Sequence, residues 1–142
     1  MVPPPAWVMA FPDALRRVAG RLHRWFQPGG LSVYDMVLEV YAAKAMAVAA
    51  ELDIATLLVA GPLSVDELAR RTATHPDSLY RILRALASLG IFREGRDGRF
   101  RNTGLSRALV DGKGSMRHLA ISHLGSDALA LMEDLRRTVE TG

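Results

Sequence analysis

The sequence predicts a mainly α-helical fold that contains one small β-hairpin, and three observations support this prediction. Apolar residues recur with a period near 3.6 in several stretches, which is typical of amphipathic helices. Two short helical patterns followed by a hairpin pattern occupy residues 63–110 and indicate a winged helix-turn-helix. The 142-residue chain is 49% hydrophobic and 23% charged, so it carries enough apolar side chains to form a core.

Composition and charge exclude several classes of protein. The chain has no cysteine, so it can form neither a disulfide framework nor a cysteine-ligated zinc site. Its net charge of +3 permits nucleic-acid binding without demanding it. Prolines interrupt the first apolar stretch, unlike a secretory signal, and the longest apolar stretch, Val40–Ala50, is too short for the roughly 20 residues of a membrane span. We therefore expect a cytoplasmic protein with no membrane segment.

Residues 1–30 are predicted to form a proline-rich arm and an amphipathic helix. Apolar side chains from Pro12 to Phe26 follow a helical stripe, and four arginines lie off that stripe. Such a helix can lie on a membrane, but docking on its own protein is the interpretation we favour. Gly29 and Gly30 follow Pro28 and are expected to end it.

The next segment, residues 31–62, is predicted to contain a long helix from Leu31 to Leu52 and a short one from Ile54 to Ala60. In the long helix, Val40–Ala50 is apolar on nearly every face, with Lys44 as its only charge. A helix of this kind has to be buried all round, and a small domain has too few elements to cover it. We expect a second copy of the chain to cover it; the alternative is a central helix in a monomeric bundle. The predicted dimer interface consists of Val33, Val37, Val40, Tyr41, Ala43, Met46, Ala47 and Ala50.

The winged helix-turn-helix is predicted from local signals at residues 63–110. Ser64 to Glu67 has the pattern of a capping box that begins a helix. Thr74 to Asp77 begins the second helix, with a proline in its first turn, and Gly90 ends it. Residues 91–101 read as a β-hairpin with Asp97-Gly98 as a two-residue turn.

Residues 111–142 are predicted to be C-terminal helices. A short helix from Thr103 to Val110 precedes the loop Asp111–Gly114, and a helical pattern runs from Ser115 to about Thr141. The loop holds the one Gly-x-Gly of the chain, Gly112–Gly114. No strand precedes it and no βαβ unit surrounds it, so we interpret it as a flexible loop and not as a nucleotide-binding turn.

The order of these elements resembles the N-terminal region of the bacterial and plant small-molecule O-methyltransferases that act on polyketides and phenolics. The resemblance covers about residues 31–142. The motifs that carry it are Ala49–Ile54, Gly61–Ala69, Leu79–Leu86, Gly90–Phe92 and Gly98–Phe100 before Thr103. Asp53 is a departure, because the family usually has glycine at this helix end, and aspartate adopts a left-handed backbone less readily. The turn there is expected to differ slightly.

The resemblance implies a dimerisation domain that is not catalytic alone. In that family the region forms an intertwined homodimer, its winged helix serves packing, and a following Rossmann-like domain carries S-adenosylmethionine and the catalytic base. The sequence ends at Gly142, about where the resemblance places the start of that domain. We therefore expect no catalytic, cofactor-binding or metal-binding residue in this chain. Its expected partners are a second copy and a methyltransferase catalytic domain or subunit.

The resemblance also suggests a wall for an aromatic substrate in a complete enzyme. Helices after the wing line the substrate pocket in related enzymes, although ordinary helix packing also explains such residues. His118 and His123 are about 140° apart around a helix, so they do not form a zinc pair. The residues that would form this wall are Met116, His118, Leu119, His123 and Met132.

Two other functions remain open from the sequence. A winged-helix transcription regulator would contact DNA through Arg81, Arg84, Arg96 and Arg99. Asp77 on the same helix and the acidic residues of the wing oppose this, and we expect no sequence-specific binding to nucleic acid. The third alternative is a stand-alone accessory protein, or a dimer that binds a small hydrophobic ligand between its protomers.

Overall fold

The computed structural model describes residues 29–125 and 135–142, and these residues belong to two compact units that divide between Glu39 and Val40. The helix predicted for residues 12–26 and the predicted wall residue Met132 lie outside the described residues. Among the helices that the structure describes, none has the length and apolar character needed to cross a bilayer.

The predicted long helix is present as α1, Gly29–Glu51, and it begins two residues earlier than expected. Its end bends at Asp53, whose backbone is left-handed with φ of 56°. The short helix α2 spans Ile54–Leu57, so the expectation that it reaches Ala60 is wrong. The Val59 N–H donates to the Thr56 carbonyl three residues back, and this tighter turn ends the helix.

The two helices of the helix-turn-helix are α3, Val65–Thr72, and α4, Pro76–Ser88. The predicted capping box is confirmed. The Glu67 N–H donates to Ser64 Oγ at 3.2 Å, and the Ser64 N–H donates to Glu67 Oε2 at 2.7 Å. Pro76 occupies the first turn of α4, where a missing N–H leaves no intrahelical bond unmade.

Three short strands form one antiparallel sheet in the order β1-β3-β2. The strands are β1, Leu63–Ser64, β2, Phe92–Glu94, and β3, Arg99–Asn102. The hairpin of β2 and β3 was predicted, and β1 was not. A strand of two residues has no alternation that a sequence pattern can reveal.

The turn of the hairpin differs from the prediction of a two-residue Asp97-Gly98 turn. The Gly95 N–H donates to the Arg99 carbonyl at 2.8 Å, and the Gly98 N–H donates to the Gly95 carbonyl at 3.0 Å. The loop therefore holds three residues, 96–98, with Gly98 left-handed at φ of 70°. This is the common three-residue hairpin, in which glycine takes the left-handed position after the turn.

Within the described residues, neither of the two helices predicted after the hairpin has its predicted extent. A 3₁₀ helix, Ser106–Leu109, replaces the predicted helix 103–110. The predicted helix 115–141 is interrupted, because α5, Arg117–Leu124, ends at Gly125, and α6 follows at Leu135–Thr141. A Cβ at Gly125 would collide with the Ile121 carbonyl oxygen, so glycine is required at this helix end.

The core lies where the helices meet the inner face of the sheet. Phe92 and Phe100 face inward from β2 and β3, and Leu83 and Leu86 meet them from α4. The Tyr80 ring packs edge-on against Phe100, with ring centres 6.1 Å apart. The fold class predicted from the sequence is confirmed: the described chain is mainly helical with a small antiparallel sheet.

Candidate functional site

The N-terminal half of α1 exposes an unusual run of large apolar side chains, which we call the apolar segment. Its members are between 45% and 70% exposed within the chain. They are Leu31, Val33, Tyr34, Met36, Val37, Leu38, Val40 and Tyr41. Isolated exposed apolar residues need no explanation, but a contiguous run of this kind is typical of interaction surfaces.

Four of the predicted interface residues form one stripe within this segment. Val33, Val37, Val40 and Tyr41 follow the spacing i, i+4, i+7, i+8, which places them within about 100° around a helix. Their side chains are 49% to 70% exposed. The helix therefore presents these four side chains on one side.

The other four predicted interface residues lie deeper in the chain. Ala43 and Met46 are half-buried, while Ala47 and Ala50 are 0% and 1% exposed. Ala50 belongs to the same core cluster as Ile54, so the chain itself covers this end of α1. We expected a second copy of the chain to cover all of Val40–Ala50. The burial of Ala47 and Ala50 limits that expectation to the exposed stripe.

A polar cluster that the sequence did not predict joins the C-terminal end of α1 to α5. Arg117 Nε donates to the Ala50 carbonyl at 2.8 Å and lies 3.3 Å from Asp53 Oδ1. The Thr56 hydroxyl donates to Asp53 Oδ1 at 2.7 Å and accepts from the Asp111 N–H at 2.9 Å. Arg117 thus satisfies a carbonyl that the end of a helix leaves without an intrahelical donor.

This cluster also explains how an aspartate is held in the turn that follows α1. The backbone at Asp53 adopts the left-handed conformation that glycine favours. The carboxylate compensates for the cost of that conformation by its contacts with Thr56 and Arg117. No local signal marks Arg117 as the partner, because 67 residues separate it from Ala50.

The predicted wall residues do not all share one surface. Met116, Leu119 and His123 lie at i, i+3 and i+7, so they occupy one face at α5, and all three are exposed. His118 is also exposed, but it lies on the opposite side of the helix. Within the two described ranges, 29–125 and 135–142, no group of three His, Cys, Asp or Glu side chains is close enough together to hold a metal ion.

The four arginines predicted to contact DNA under the regulator alternative are all exposed. Arg81 and Arg84 lie one turn apart on α4, and Arg96 lies in the hairpin loop. Arg99 is engaged within the chain, since its Nη1 lies 3.1 Å from Glu67 Oε2 and donates to the Pro62 carbonyl. Part of the positive charge of the wing is therefore neutralised.

Electrostatics at the start of α3 favour an ionised Glu67. Hydrogen bonds from the Ser64 backbone and side chain lower the pKa of the Glu67 carboxyl below its usual value, and the charge of Arg99 adds to that effect. The carboxylate also lies in the first turn of a helix, where negative charge is favoured.

Comparison with known families identifies the chain. Residues 34–112, from the apolar segment through the winged helix, match the model of the O-methyltransferase dimerisation domain. The chain belongs to this family. O-methyltransferase SfmM3 of Streptomyces lavendulae is 36% identical over 100 residues, which are 70% of this chain and 30% of that protein. Phenazine O-methyltransferase PhzM of Lysobacter antibioticus is 36% identical over 109 residues, covering 76% of this chain and 32% of its own length. The chain thus spans about a third of each relative.

Solved structures of related proteins share the fold. The crystal structure of LaPhzM is 34% identical, with a TM-score of 0.77, and covers 82% of this chain and 35% of its own. CalO1, a methyltransferase in calicheamicin biosynthesis solved in its SAH-bound form, is 35% identical, with a TM-score of 0.61, over 68% of this chain and 29% of its own. Helices, winged helix and sheet therefore have the arrangement found at one part of larger methyltransferases.

Proposed function

We propose that the chain forms a homodimer through the exposed stripe of α1, and that this dimer organises a methyltransferase that methylates a small aromatic substrate. The observation that carries the proposal is the apolar segment of α1, six of whose eight members lie inside residues 34–112, the region that matches the dimerisation family. Burial of this exposed apolar area in an interface would stabilise the dimer by about 25 cal/mol for each Å² removed from water.

We propose that the partner bound by the stripe is a second copy of the chain. A two-fold interface brings the same surface of both protomers together, so like charges on that surface would oppose one another. The stripe from Val33 to Tyr41 carries no charge. Asp35 and Glu39 lie roughly opposite to it around the helix. The arrangement of charge therefore permits the helix to pack against its own copy.

The methyl donor belongs, in this proposal, to a catalytic domain or subunit outside the described residues. S-adenosylhomocysteine, bound in the CalO1 structure, is what remains of S-adenosylmethionine after methyl transfer. Binding of such a nucleoside usually uses a strand, a glycine-rich turn and a helix. The chain offers Gly112 and Gly114 in an exposed loop instead. We therefore assign this chain no catalytic or cofactor-binding residue of its own.

The exposed face at α5 is proposed to wall the substrate pocket in the complete enzyme. Met116 and Leu119 are about half exposed, and His123 lies beside them with its Nδ1 3.1 Å from the Leu119 carbonyl oxygen. Two apolar side chains and an imidazole suit an aromatic ring that carries a hydroxyl group. His118 lies on the opposite side of the helix and is left out of this wall.

Light scattering coupled to size-exclusion chromatography tests the dimer. The wild-type chain should elute as a dimer at micromolar concentration, and Val37→Glu should convert it to a monomer because it buries an unpaired charge in the interface. Val139→Glu is the matched control: Val139 is 87% exposed and lies on α6, so this variant should stay dimeric. A wild-type monomer at micromolar concentration would contradict the proposal.

Titration calorimetry tests the assignment of the cofactor to another domain. S-adenosylhomocysteine added to this chain should give no saturable heat, because residues 29–125 and 135–142 form no strand, glycine-rich turn and helix of the kind that binds such a nucleoside. Saturable binding at micromolar concentration would place a cofactor site within this chain and would overturn that assignment, whatever the oligomeric state.

A further inference from the structure

A cleft outside the apolar segment and outside the α5 face has the composition of a binding site. It has a volume of about 590 Å³, within the roughly 300–1,000 Å³ range of small-molecule sites. It lies between the turn that follows α2, the start of β1, the end of β3 and the 3₁₀ helix. Its apolar lining is Leu58, Val59, Pro62 and Val110.

The polar lining of this cleft contains cations and an amide but no carboxylate. Arg101, Asn102 and Arg107 complete the wall. Arg101 contributes mainly its stem, because its Nη2 lies over Gly95, 2.6 Å from where a Cβ on that glycine would stand. Arg107 therefore supplies the charge. Within the described part of the chain, no carboxylate lies within 4.0 Å of its guanidinium.

Asn102 adds an unmet hydrogen-bonding requirement at the wall of the cleft. Its Nδ2 donates to the Ala55 carbonyl at 2.8 Å, which fixes the orientation of the amide. Its Oδ1 is buried and has no hydrogen-bond partner among the described residues. A buried acceptor without a donor is costly, so this amide is an unsatisfied polar point in the wall of the cleft.

We propose that this cleft binds a small organic anion with a flat apolar body. The apolar walls would take the body of the ligand, and the Arg107 guanidinium would take its carboxylate or sulfonate through charge-assisted hydrogen bonds. The absence of acidic lining residues is what selects an anion over a neutral or cationic ligand. The site does not depend on dimer formation or on methyl transfer.

NMR titration of the whole chain with 2-naphthoate tests the proposal, with neutral 2-naphthylmethanol as the matched ligand. We expect saturable shifts at the amides of Val59, Gly61, Asn102 and Val110, with a dissociation constant below about 1 mM. The neutral alcohol should bind about tenfold more weakly, since it lacks the charge-assisted bond. Equal binding of the two ligands would overturn the role of Arg107. Shifts confined to the apolar segment of α1 would overturn the site itself.

Three variants distinguish binding in the cleft from nonspecific binding elsewhere on the chain. Arg107→Gln should weaken 2-naphthoate binding about tenfold and leave binding of the alcohol unchanged. Arg84→Gln removes an equally exposed arginine outside the cleft and should change neither affinity. Val59→Trp should fill the mouth of the cleft and abolish both shifts, while an unchanged amide spectrum elsewhere shows that it folds. Retained affinity in Arg107→Gln, or in a folded Val59→Trp, would contradict the proposal.

Discussion

The winged helix and the apolar segment of α1 are both rich in apolar residues, but they use those residues in opposite ways. In the winged helix, Leu68, Leu83 and Phe100 are fully buried by neighbouring elements, and the capping box satisfies the first turn of α3. In the apolar segment, Val33, Val40 and other large side chains are about half exposed or more. The first region buries its apolar side chains within its own core, and the second leaves its apolar side chains exposed within the chain.

The difference teaches that apolar periodicity alone does not tell a core face from an interface face. Both regions show helical spacing of apolar residues. The winged helix has three elements that meet from different directions. The apolar segment is a helix whose apolar residues occupy several faces, and one face of a neighbouring element can cover only part of it.

The largest effect expected from this comparison is on folding stability. Phe100→Ala should lower the free energy of unfolding by about 3–5 kcal/mol, because it leaves a cavity beneath the sheet. Val37→Ala should be made in a chain that a second interface substitution already keeps monomeric. There it should change the free energy of unfolding by less than about 0.5 kcal/mol, as substitutions at exposed positions usually do. Chemical denaturation measures both. Similar losses for the two variants would mean that the segment is part of the core of the chain.

Removal of Arg117 should have the next largest effect. Arg117→Ala removes the charged donor that the Ala50 carbonyl and the Asp53 carboxylate share, and leaves them only the Asp53 N–H and the Thr56 hydroxyl, so we expect a loss of about 1.5–3 kcal/mol in unfolding free energy. Hydrogen exchange should also become faster across α5 than across α4, since the cluster attaches α5 to α1. Arg96→Ala, in the hairpin loop, is the control and should do neither. Unchanged exchange in Arg117→Ala would show that packing alone holds α5.

The capping box should contribute less. Ser64→Ala should cost about 1 kcal/mol, the usual cost of losing a helix N-cap. Ser88→Ala is the matched control, because its hydroxyl contacts the Ala85 carbonyl at the exposed end of α4 and caps no N-terminus. Thermal unfolding compares the two, and an equal change in both midpoints would contradict the role of Ser64.

The charge of Glu67 should make a still smaller contribution that depends on pH. Because folding lowers the pKa of this carboxyl, the stabilisation is present above the unfolded pKa and is lost as the pH falls through the folded one. Glu67→Gln should therefore be less stable than wild type at neutral pH, and the gap should close in acid. Stability curves between pH 7 and pH 3 measure this. If the difference in stability between Glu67→Gln and wild type stayed constant with pH, the substitution would act through packing and not through the charge of Glu67.

The smallest expected effect concerns DNA and tests the regulator alternative. Arg81 and Arg84 are exposed and one turn apart, so weak attraction to any duplex is expected at low salt. It should fall steeply as salt rises and should weaken evenly across sequences in Arg81→Gln. Selection from a random duplex library measures specificity. A two-fold-symmetric site bound about 10³-fold above random duplex would favour a regulator.

The sequence by itself determined the elements whose cause is local. The Ser64–Glu67 capping box, the proline in the first turn of α4 and the apolar stripe of α1 each act within one or two helical turns, so their residues are neighbours in the chain. The existence of the hairpin was also readable, because Gly98 lies between two short strands that each hold one phenylalanine among charged or polar residues.

Only the tertiary structure decided which surfaces are covered and which distant groups meet. Burial of Ala50 depends on elements that follow it in the chain, and β1 exists because Leu63 pairs with Phe100, 37 residues later. The same holds for the contact of Arg117 with Ala50 and for the cleft at Arg107. Side chains far apart in sequence come together only when the chain folds around its core. The local spacing of residues does not show which distant side chains will meet.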